Sequence, residues 1–457
     1  MADGGARFGA SHFPTRAEGQ RIAVIGAGAA GLSAAWLLSQ RHQVTLFEKE
    51  ARAGGHANTV TIQEAQRSVA IDTGFIVFNE KNYPNFTAWL AALGAPSAPS
   101  DMSFAVSLKG GAEYSSVDAH GFINGGLNLF RPRFWSMLRD LLRFYRRAPH
   151  ESPSQEELSL TLGEFLDLKG YGRSFQDEHL LPQAAAIWSA TLDDIRNYPA
   201  CAFIRFFDNH GLLKLKGRPK WRTVEGGSAS YVSRALENHE DVRLGAGVSH
   251  IARLAEGVVV TDAHGESALF DQVVIAAHAK EARAMLSDAS DDEHNLLGAF
   301  SYSLNKAVLH TDARLMPRNK RLWASWNYVG ADQTRAPCGV TYWMNRLQNL
   351  PTTQDYFLSL NPSADIDERT IAWRGDYEHP IFDTAALTAQ RALWRLQGVN
   401  RTWFCGAHFG SGFHEDAVQA GLAVAEQLGG VLRPWIVPGQ SDRIFISSPS
   451  PATAEAA

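Results

Sequence analysis

The stretch from Arg21 to Glu48 constrains this chain more than any other, because it predicts a strand, a glycine turn, a helix and a second strand in that order. The apolar strand Ile22–Ile25 leads into the run Gly26-Ala27-Gly28-Ala29-Ala30-Gly31. In such a run the first glycine permits a tight turn, and the second lets the backbone approach a pyrophosphate. The third lets the helix lie close to the strand. The pattern is typical of a dinucleotide-binding turn.

The elements after the turn support the same interpretation. The helix would begin near Ala29 and Ala30, and a helix N-terminus offers free N–H groups and a partial positive charge to phosphates. Glu48 follows the second strand, Val44–Phe47. It comes about 20 residues after the first glycine, where an acid can accept hydrogen bonds from ribose hydroxyls. Strand, glycines, helix and acid agree, so the sequence predicts a Rossmann-type dinucleotide site rather than an incidental Gly-rich turn.

Further segments resemble the flavin-contacting segments of flavoproteins of the amine oxidase and phytoene desaturase type. They are Glu48-Lys49-Glu50-Ala51-Arg52-Ala53-Gly54-Gly55-His56, Asp72-Thr73-Gly74-Phe75, Trp403-Phe404-Cys405-Gly406-Ala407 and Gly412-Phe413-His414-Glu415-Asp416-Ala417-Val418-Gln419-Ala420-Gly421. The last resembles the family pattern G-[YF]-x-E-G-A-x-x-[AS]-G, whose helix N-terminus meets the flavin. The resemblance implies FAD rather than NAD, because an NAD enzyme has no need of the C-terminal segment.

The resemblance also implies which residues contact FAD. They are Gly26, Gly28, Ala29, Ala30, Gly31, Glu48, Lys49, Gly54, Gly55, His56, Asp72, Thr73, Gly74, Phe75, Val248, Gly406, Ala407, Phe413, His414, Glu415 and Ala417. Two positions depart from the pattern, since many relatives have arginine at His56 and an acid at Ala407. For Glu415 and Asp416, capping of the helix N-terminus is the alternative role.

Lys306 and Phe413 are the predicted catalytic residues. Lys306 lies in the strand Tyr302–Leu309, which resembles the family strand whose lysine holds a water near flavin N5. A solvated strand lysine is the equal alternative. Phe413 aligns with an aromatic residue beside the flavin, and a phenyl ring suits an apolar chain. Four more residues are candidates for lining a substrate cavity or else for core packing: Trp343, Tyr377, His379 and His408.

Shorter segments resemble one bacterial subfamily of these flavoproteins, which accompanies cyclopropane-fatty-acid-synthase-like methyltransferases. They include Met102-Ser103-Phe104, Leu309-His310-Thr311-Asp312, Trp343-Met344-Asn345-Arg346-Leu347-Gln348 and Tyr377-Glu378-His379-Pro380. The resemblance implies desaturation of a methyl-branched fatty acyl chain of a membrane lipid, as in furan fatty acid synthesis, with a lipid methyltransferase as partner. A flavin amine oxidase and a non-catalytic flavoprotein partner of a methyltransferase remain the alternatives.

The predicted fold class is α/β, with a Rossmann-like FAD-binding domain of the amine oxidase type and a discontinuous α+β substrate domain. The FAD-binding domain would comprise 21–98, 226–298 and 401–432, and the substrate domain 99–225 and 299–400. Residues 1–20 would form a flexible tail, and 433–457 a C-terminal extension and tail. A strand is expected over Val242–Ile251, and Thr161 with Glu164 resembles a capping box.

Composition limits the other classes of function. The net charge of −5 does not favour a nucleic-acid-binding protein. The three cysteines lie far apart, without the spacing of a zinc site or a disulfide framework. We therefore expect a cytoplasmic protein without a metal site. A helix from Pro132 to about Arg147 carries Arg139, Arg143, Arg146 and Arg147 on one face. It is either an ordinary domain helix or a peripheral contact with an anionic inner membrane surface.

Overall fold

The computed structural model describes residues 19–108, 112–154, 159–188, 190–330 and 339–446. Its strands are, in chain order, β1 (Arg21–Ile25), β2 (Gln43–Phe47), β3 (Thr59–Gln63), β4 (Ser68–Asp72), β5 (Phe78–Asn79), β6 (Ser97–Pro99), β7 (Phe104–Leu108), β8 (Glu113–Ser115), β9 (Trp221–Val224), β10 (Asp241–Arg243), β11 (Val248–Arg253), β12 (Val258–Asp262), β13 (Ser267–Phe270), β14 (Gln272–Ile275), β15 (Ser301–His310), β16 (Trp326–Gly330), β17 (Val340–Trp343), β18 (Phe357–Leu360), β19 (Ile371–Ile381) and β20 (Thr402–Phe404).

The helices follow the same order. They are α1 (Ala29–Leu38), α2 (Pro84–Ala92), α3 (Ala119–Phe122), α4 (Pro132–Glu151), α5 (Leu162–Leu168), α6 (Arg173–Phe175), α7 (Leu181–Trp188), α8 (Leu192–Asn197), α9 (Ala200–Asn209), α10 (Ala229–Leu236), α11 (Ala279–Met285), α12 (Asp291–Gly298), α13 (Met344–Leu347), α14 (Thr384–Gln390) and α15 (His414–Gly429). Short 3-10 turns include Asn124–Phe130 and Ala407–Phe409, and a π turn covers Gln176–Leu180.

A parallel five-stranded sheet, in the order β10-β2-β1-β14-β20, carries the glycine turn at the carboxyl end of its central strand. Ile22, Val24, Val273 and Val274 in its middle are fully or almost fully buried, as expected for strands covered on both faces. Helices α1 and α15 pack together on the sheet. A Cβ at Gly421 of α15 would lie 2.2 Å from the Ala30 carbonyl oxygen, so glycine allows this close crossing.

A second sheet of seven strands, in the order β19-β15-β18-β17-β16-β7-β8, forms the other half of the molecule. One of its faces packs against the β3–β4 hairpin through an apolar cluster that includes Ile71, Leu309 and Tyr377. Helices α4 to α9 build a separate apolar cluster that includes Phe144, Phe175 and Phe203. The site described below lies where the two sheets meet.

Two local predictions can be compared directly with these elements. The capping box is confirmed: Thr161 Oγ1 accepts from Glu164 N at 3.2 Å, and Glu164 Oε2 accepts from Thr161 N at 2.9 Å. The single strand over Val242–Ile251 is wrong, because the chain forms β10, turns at Gly245 with φ +68°, and resumes as β11. Within that turn, Gly245 N donates to Glu50 O and Ala246 N to Glu48 O.

The segment after α15 folds back onto the nucleotide-binding half. Trp435 is buried and its ring stacks on Trp36 with a centroid distance of 5.7 Å. Arg433 forms an ion pair with Glu426 at 2.7 Å, and Arg443 Nη1 lies 3.3 Å from Asp416 Oδ1. This extension is therefore packed at least as far as residue 446, where the description ends.

Candidate functional site

The three glycines of the turn between β1 and α1 have different surroundings. Gly26 has φ +100°, and a Cβ there would lie 2.7 Å from the Ala276 carbonyl oxygen. A Cβ at Gly31 would lie 1.8 Å from the Gly26 oxygen. At Gly28 a Cβ would meet no atom within 4 Å. Gly28 therefore borders open space beside the N-terminus of α1, where Ala29 and Ala30 belong to a first turn whose N–H groups lack acceptors within the helix.

The second glycine pair folds onto this turn. Gly54 N donates to Ala27 O at 2.8 Å, and a Cβ at Gly55 would lie 3.2 Å from the Gly28 Cα atom. His56 comes next in the chain, directly after the glycine that approaches Gly28 and its open space. We call this space, bounded by the two glycine segments and the N-terminus of α1, the cradle.

Glu48 is placed at one end of the cradle. Its buried carboxylate accepts hydrogen bonds from Ala27 N at 2.8 Å and from Glu50 N at 2.9 Å. The turn before β11 contacts the same loop, and β11 begins at Val248. The Lys49 ammonium is engaged by the protein: its Nζ lies 2.8 Å from Glu281, whose hydrogen bond raises the pKa of Lys49. The structure thus brings Glu48 and the segment of Val248 together and pairs Lys49 with Glu281.

The Asp72–Phe75 turn joins the cradle to the seven-stranded sheet. Burial raises the pKa of Asp72 to about 6, and its carboxylate accepts from Thr59, Ser228 and Gln348. Thr73 Oγ1 lies 2.8 Å from the Tyr377 hydroxyl oxygen. A Cβ at Gly74 would lie 2.1 Å from the His56 oxygen. These protein contacts engage both polar side chains, so they leave mainly the backbone of this turn for a cofactor.

The C-terminal motif closes the site from the other side. Gly412 N donates to Ala407 O at 3.1 Å, so the Gly406–Ala407 turn holds the residues before α15. His414 begins that helix, and its ring stacks on Phe75 with a centroid distance of 3.8 Å. Ala417 lies buried in the first turn, with its N–H directed to Phe413 O.

The carboxylate of Glu415 does not face the cradle. It accepts from Asn85 N at 3.1 Å, from the Asn85 amide at 2.9 Å and from Phe86 N at 2.9 Å, and it thereby caps α2. Asp416 accepts from Phe413 N at 2.7 Å and caps its own helix. Both acids therefore cap helix N-termini, as the alternative interpretation of the sequence predicts. Any cofactor contact of Glu415 would involve its backbone.

Five histidines line or adjoin the space between the cradle and the seven-stranded sheet: His56, His278, His379, His408 and His414. The His56 ring centroid lies 5.4 Å from that of His379 and 6.3 Å from that of His278. Burial lowers the pKa of His379 to about 4 and the pKa values of His408 and His414 to about 3. Burial also lowers the pKa of His56 well below its usual value. These four imidazoles are therefore uncharged at neutral pH.

Two of these rings have a buried nitrogen that is unpaired within the described part of the chain. The Nε2 atoms of His56 and His408 lack a hydrogen-bond partner among the described residues. Buried polar atoms are normally paired, so these two nitrogens are candidates for hydrogen bonds to a bound polar ligand. The open Gly28 surface, the helix N-terminus, Glu48 and the unpaired imidazole nitrogens fit a dinucleotide with a polar body.

Comparison with known proteins decides the family. Residues 29–361 match the model of the flavin containing amine oxidoreductases. The chain belongs to this family. It is accordingly an FAD-dependent oxidoreductase, and the cofactor prediction is confirmed.

Solved structures with the same fold include proteins with several different activities. A provisionally named protoporphyrinogen oxidase from Exiguobacterium sp. 255-15 has a TM-score of 0.66 at 17% identity, over 90% of this chain and 99% of that one. A CLA-producing fatty acid isomerase from P. acnes gives 0.63 at 16%, over 90% and 98%. A cyclohexylamine oxidase from Brevibacterium oxydans IH-35A gives 0.66 at 17%, over 90% and 100%. These similarities confirm the α/β amine oxidase fold.

Lys306 lies apart from the histidines in this flavin amine oxidoreductase. Its side chain is exposed, on the strand face that also carries the exposed Asp376 and Arg374. It lines a cavity of about 860 Å³ with Leu304 and other residues, and none of the predicted FAD-contacting residues lines that cavity. A flavin contact of Lys306 stays a prediction, and this geometry does not support it.

Asn305, one residue earlier, is buried and faces the site. Its amide nitrogen lies 3.1 Å from His379 Nδ1. Side chains alternate along a strand, so neighbouring residues face opposite sides of the sheet. Sequence reasoning missed Asn305 and His278. His278 follows the central strand β14, and the carboxyl edge of a parallel sheet is where such folds bind ligands, so this signal was present.

Phe413 lies among aromatic rings of the helical region. Its ring stacks on Phe206 with a centroid distance of 4.8 Å and an interplanar angle of 19°. The rings of His210 and Trp188 lie 5.8 and 6.5 Å from it. Of the four cavity candidates, Tyr377, His379 and His408 adjoin the site. Trp343 instead packs against Trp323, at 5.5 Å.

Proposed function

We propose that this flavin amine oxidoreductase desaturates the acyl chain of a lipid, with a methyl-branched chain as the preferred substrate. The observation that carries the proposal is the set of aromatic rings around the Phe413 side chain, none of which is charged at neutral pH. The structural similarity to a fatty acid isomerase agrees with an acyl substrate. The subfamily resemblance of the short sequence segments supports the methyl branch.

The rings that contact Phe413 offer no charge to a substrate at neutral pH. His210 Nδ1 lies 2.9 Å from the Phe206 carbonyl oxygen, which can only accept, so Nδ1 carries the proton. Burial lowers the pKa of His210 to about 3, and the ring is therefore neutral. Asp416 is paired with Arg443. An extended hydrocarbon would lose little solvation in such surroundings, whereas an isolated ammonium would lose much.

The chemistry divides between the cofactor and the protein. Bound FAD supplies a two-electron acceptor that takes a hydride equivalent from a substrate carbon. For the carbon–carbon double bond to form, the adjacent carbon would also release a proton to solvent, and the two electrons would pass finally to dioxygen or another electron acceptor. Phe413 and Phe206 would orient the chain by packing. The uncharged His56 and His408 would hold polar groups of the cofactor without adding charge.

Two other functions make different predictions. A flavin amine oxidase is favoured by the family and by solved relatives such as the cyclohexylamine oxidase, and aromatic rings can also bind a cation. A flavoprotein partner of a lipid methyltransferase would need FAD for stability and not for turnover.

Anaerobic reduction of the bound flavin separates the three. The purified holoprotein is mixed with phospholipid carrying methyl-branched acyl chains, with the unbranched phospholipid, or with cyclohexylamine and putrescine. We expect the flavin absorbance to be lost with the branched lipid, at least tenfold faster than with the unbranched one, together with a product two hydrogens lighter. Reduction by the amines alone would establish the oxidase. Reduction by none of them, with stable binding of a methyltransferase, would establish the accessory role.

A further inference from the structure

Four large apolar side chains are exposed within nine residues of the helical region. The exposed fractions are 88% for Phe130, 67% for Leu127, 51% for Trp135 and 41% for Leu129. We call these four residues the apolar knuckle. Soluble proteins seldom expose clustered apolar side chains without a binding function.

The knuckle is held outward by specific contacts of its backbone. Gly125 and Gly126 have φ +62° and +98°, which turn the chain before Leu127. Asn128 points inward, and its buried amide donates to Glu113 O at 2.9 Å. Trp135 Nε1 donates to Leu129 O at 2.9 Å and fastens the turn to α4. Because Asn128 is anchored, its two apolar neighbours are directed to solvent.

The charges next to the knuckle are mostly basic. The side chains of Arg133 and Arg139 are 61% and 73% exposed, and Arg146 and Arg147 are exposed further along α4. Three acids moderate this charge: Glu178 lies 2.6 Å from Arg133, the exposed Asp177 lies within electrostatic range of Arg133, and the buried Asp140 lies 3.4 Å from Arg139. Asp118 caps α3 nearby. Exposed aromatic and apolar side chains beside arginines are typical of proteins that rest on anionic lipid.

Arg143 has a structural role that the helix pattern did not indicate. Its Nη2 donates to Gly170 O at 2.8 Å, and its guanidinium lies 4.1 Å from the Tyr171 ring centroid. The basic stripe of α4 is therefore incomplete, and the apolar knuckle at its N-terminal end is the more distinct surface feature.

The knuckle and the candidate site belong to one apolar region. Phe134, whose ring centroid lies 5.9 Å from that of Trp135, is buried with Met137 and Leu141 in the cluster formed by α4 to α9. Phe413 packs against that same cluster. Continuous apolar packing thus links the exposed knuckle to the Phe413 ring.

We propose that the apolar knuckle inserts into the surface of an anionic phospholipid bilayer, with Arg133 and Arg139 beside the headgroups. The biological purpose of this contact rests on the proposed function, since acyl chains of phospholipids lie within bilayers. The binding itself does not depend on turnover. No helix among the described residues is long and apolar enough to cross a membrane, so the contact proposed is with one leaflet.

Flotation with vesicles tests this surface against a matched control. The holoprotein is mixed with vesicles of phosphatidylglycerol and phosphatidylcholine, or of phosphatidylcholine alone. The test variant is Leu127→Ser with Phe130→Ser. The control is Leu432→Ser with Ile436→Ser, which removes side chains that are 73% and 82% exposed elsewhere. We expect the test variant to bind anionic vesicles at least tenfold more weakly, the control to bind within twofold of wild type, and neutral vesicles to bind poorly.

Three outcomes would overturn the proposal: equal vesicle binding by wild type and the test variant, equal losses in test and control variants, or a wild-type dimer in light scattering that the test variant dissolves. Failure of the proposed function would look different. Vesicle binding would then depend on the knuckle while no acyl lipid reduces the flavin. Conversely, reduction by lipid in detergent without vesicle binding would refute the knuckle alone.

Discussion

One side of the candidate site is formed by main-chain atoms and the other by side chains. On the cradle side the surface is backbone, and Gly28 presents a bare Cα to open space. On the other side the surface is made of rings, with Phe413 stacked on Phe206. A backbone surface suits a charged and rigid group such as a pyrophosphate, because N–H groups can approach it closely. A surface of aromatic rings suits an apolar ligand of variable shape, such as a hydrocarbon chain. Under the proposed function, the cofactor is thus held by a backbone surface and the substrate by a surface of aromatic rings.

Valine substitutions in the glycine turn should have the largest effects and should differ between positions. Gly31→Val should prevent stable folding or cost more than about 3 kcal/mol, because its side chain would overlap the Gly26 oxygen. Gly28→Val should keep the stability of the protein without FAD within about 1 kcal/mol of wild type, because no protein atom occupies that space. It should nevertheless lose most bound FAD. Urea unfolding and the FAD released on denaturation measure the two effects. Full FAD occupancy in Gly28→Val would refute the cradle.

Acid should lower the stability of the folded protein through the buried histidines between the cradle and the seven-stranded sheet. An imidazole whose pKa falls from about 6.5 to about 3 or 4 stays neutral in the folded protein while the unfolded chain takes up a proton. Its contribution to stability is full above pH 6.5 and is lost progressively as the pH falls from 6.5 toward 3 or 4. Each such histidine adds a slope of up to about 1.4 kcal/mol per pH unit.

Urea unfolding between pH 7.5 and 5 would measure this slope. His408→Gln should reduce the pH dependence of the unfolding free energy by the equivalent of about one proton. His294→Gln, at an exposed position, should leave that dependence unchanged. Identical slopes in wild type and His408→Gln would show that this ring is not held neutral by the fold.

Replacement of the Phe413 ring should affect substrate and spare the cofactor. Phe413 precedes α15 in extended conformation, and asparagine is a preferred residue at such a position, so Phe413→Asn should keep the helix. We expect normal FAD content and flavin reduction by acyl lipid slowed about tenfold, equivalent to about 1.4 kcal/mol. Phe413→Tyr should restore most of the rate. If Phe413→Asn instead lost FAD, the division between backbone and ring surfaces would be wrong.

The smallest expected effect is at Lys306. Lys306→Met should leave FAD content, flavin reduction and reoxidation within about twofold of wild type, because the side chain is exposed and single surface changes are usually mild. Asn305→Ala should have the larger effect, since its amide holds the His379 ring. Stopped-flow measurement of both half-reactions would compare them. Slow reoxidation in Lys306→Met alone would place the lysine at the flavin and reverse this assignment.

The sequence predicted the cradle well because its function depends on local backbone geometry. A glycine that must have positive φ, or must let another backbone approach, is visible in the chain itself, as at Gly26 and Gly31. The turn between β1 and α1, the strand β14 and the start of α15 follow from such local signals.

The parts that the sequence did not predict depend on distant partners. Glu415 looked like a cofactor residue within its motif, but its carboxylate caps α2, more than 300 residues earlier in the chain. The difference between Asn305 and Lys306 is one step of strand alternation, and only the packed sheet decides which of the two faces inward. The apolar knuckle could not be predicted, because apolar side chains in a sequence are by default expected to be buried, whereas Phe130 is exposed in the folded chain.

The ion pair between Arg443 and Asp416 bears on the stage of protein synthesis at which the site can form. Asp416 holds the residue before α15, while Arg443 Nη2 also donates to Asn82 O beside α2. The glycine turn leaves the ribosome hundreds of residues earlier than these partners. A nascent chain therefore carries the glycine turn long before α15 and Arg443 have been synthesised. We expect FAD to bind only after the C-terminal motif has been translated and has folded against the turn.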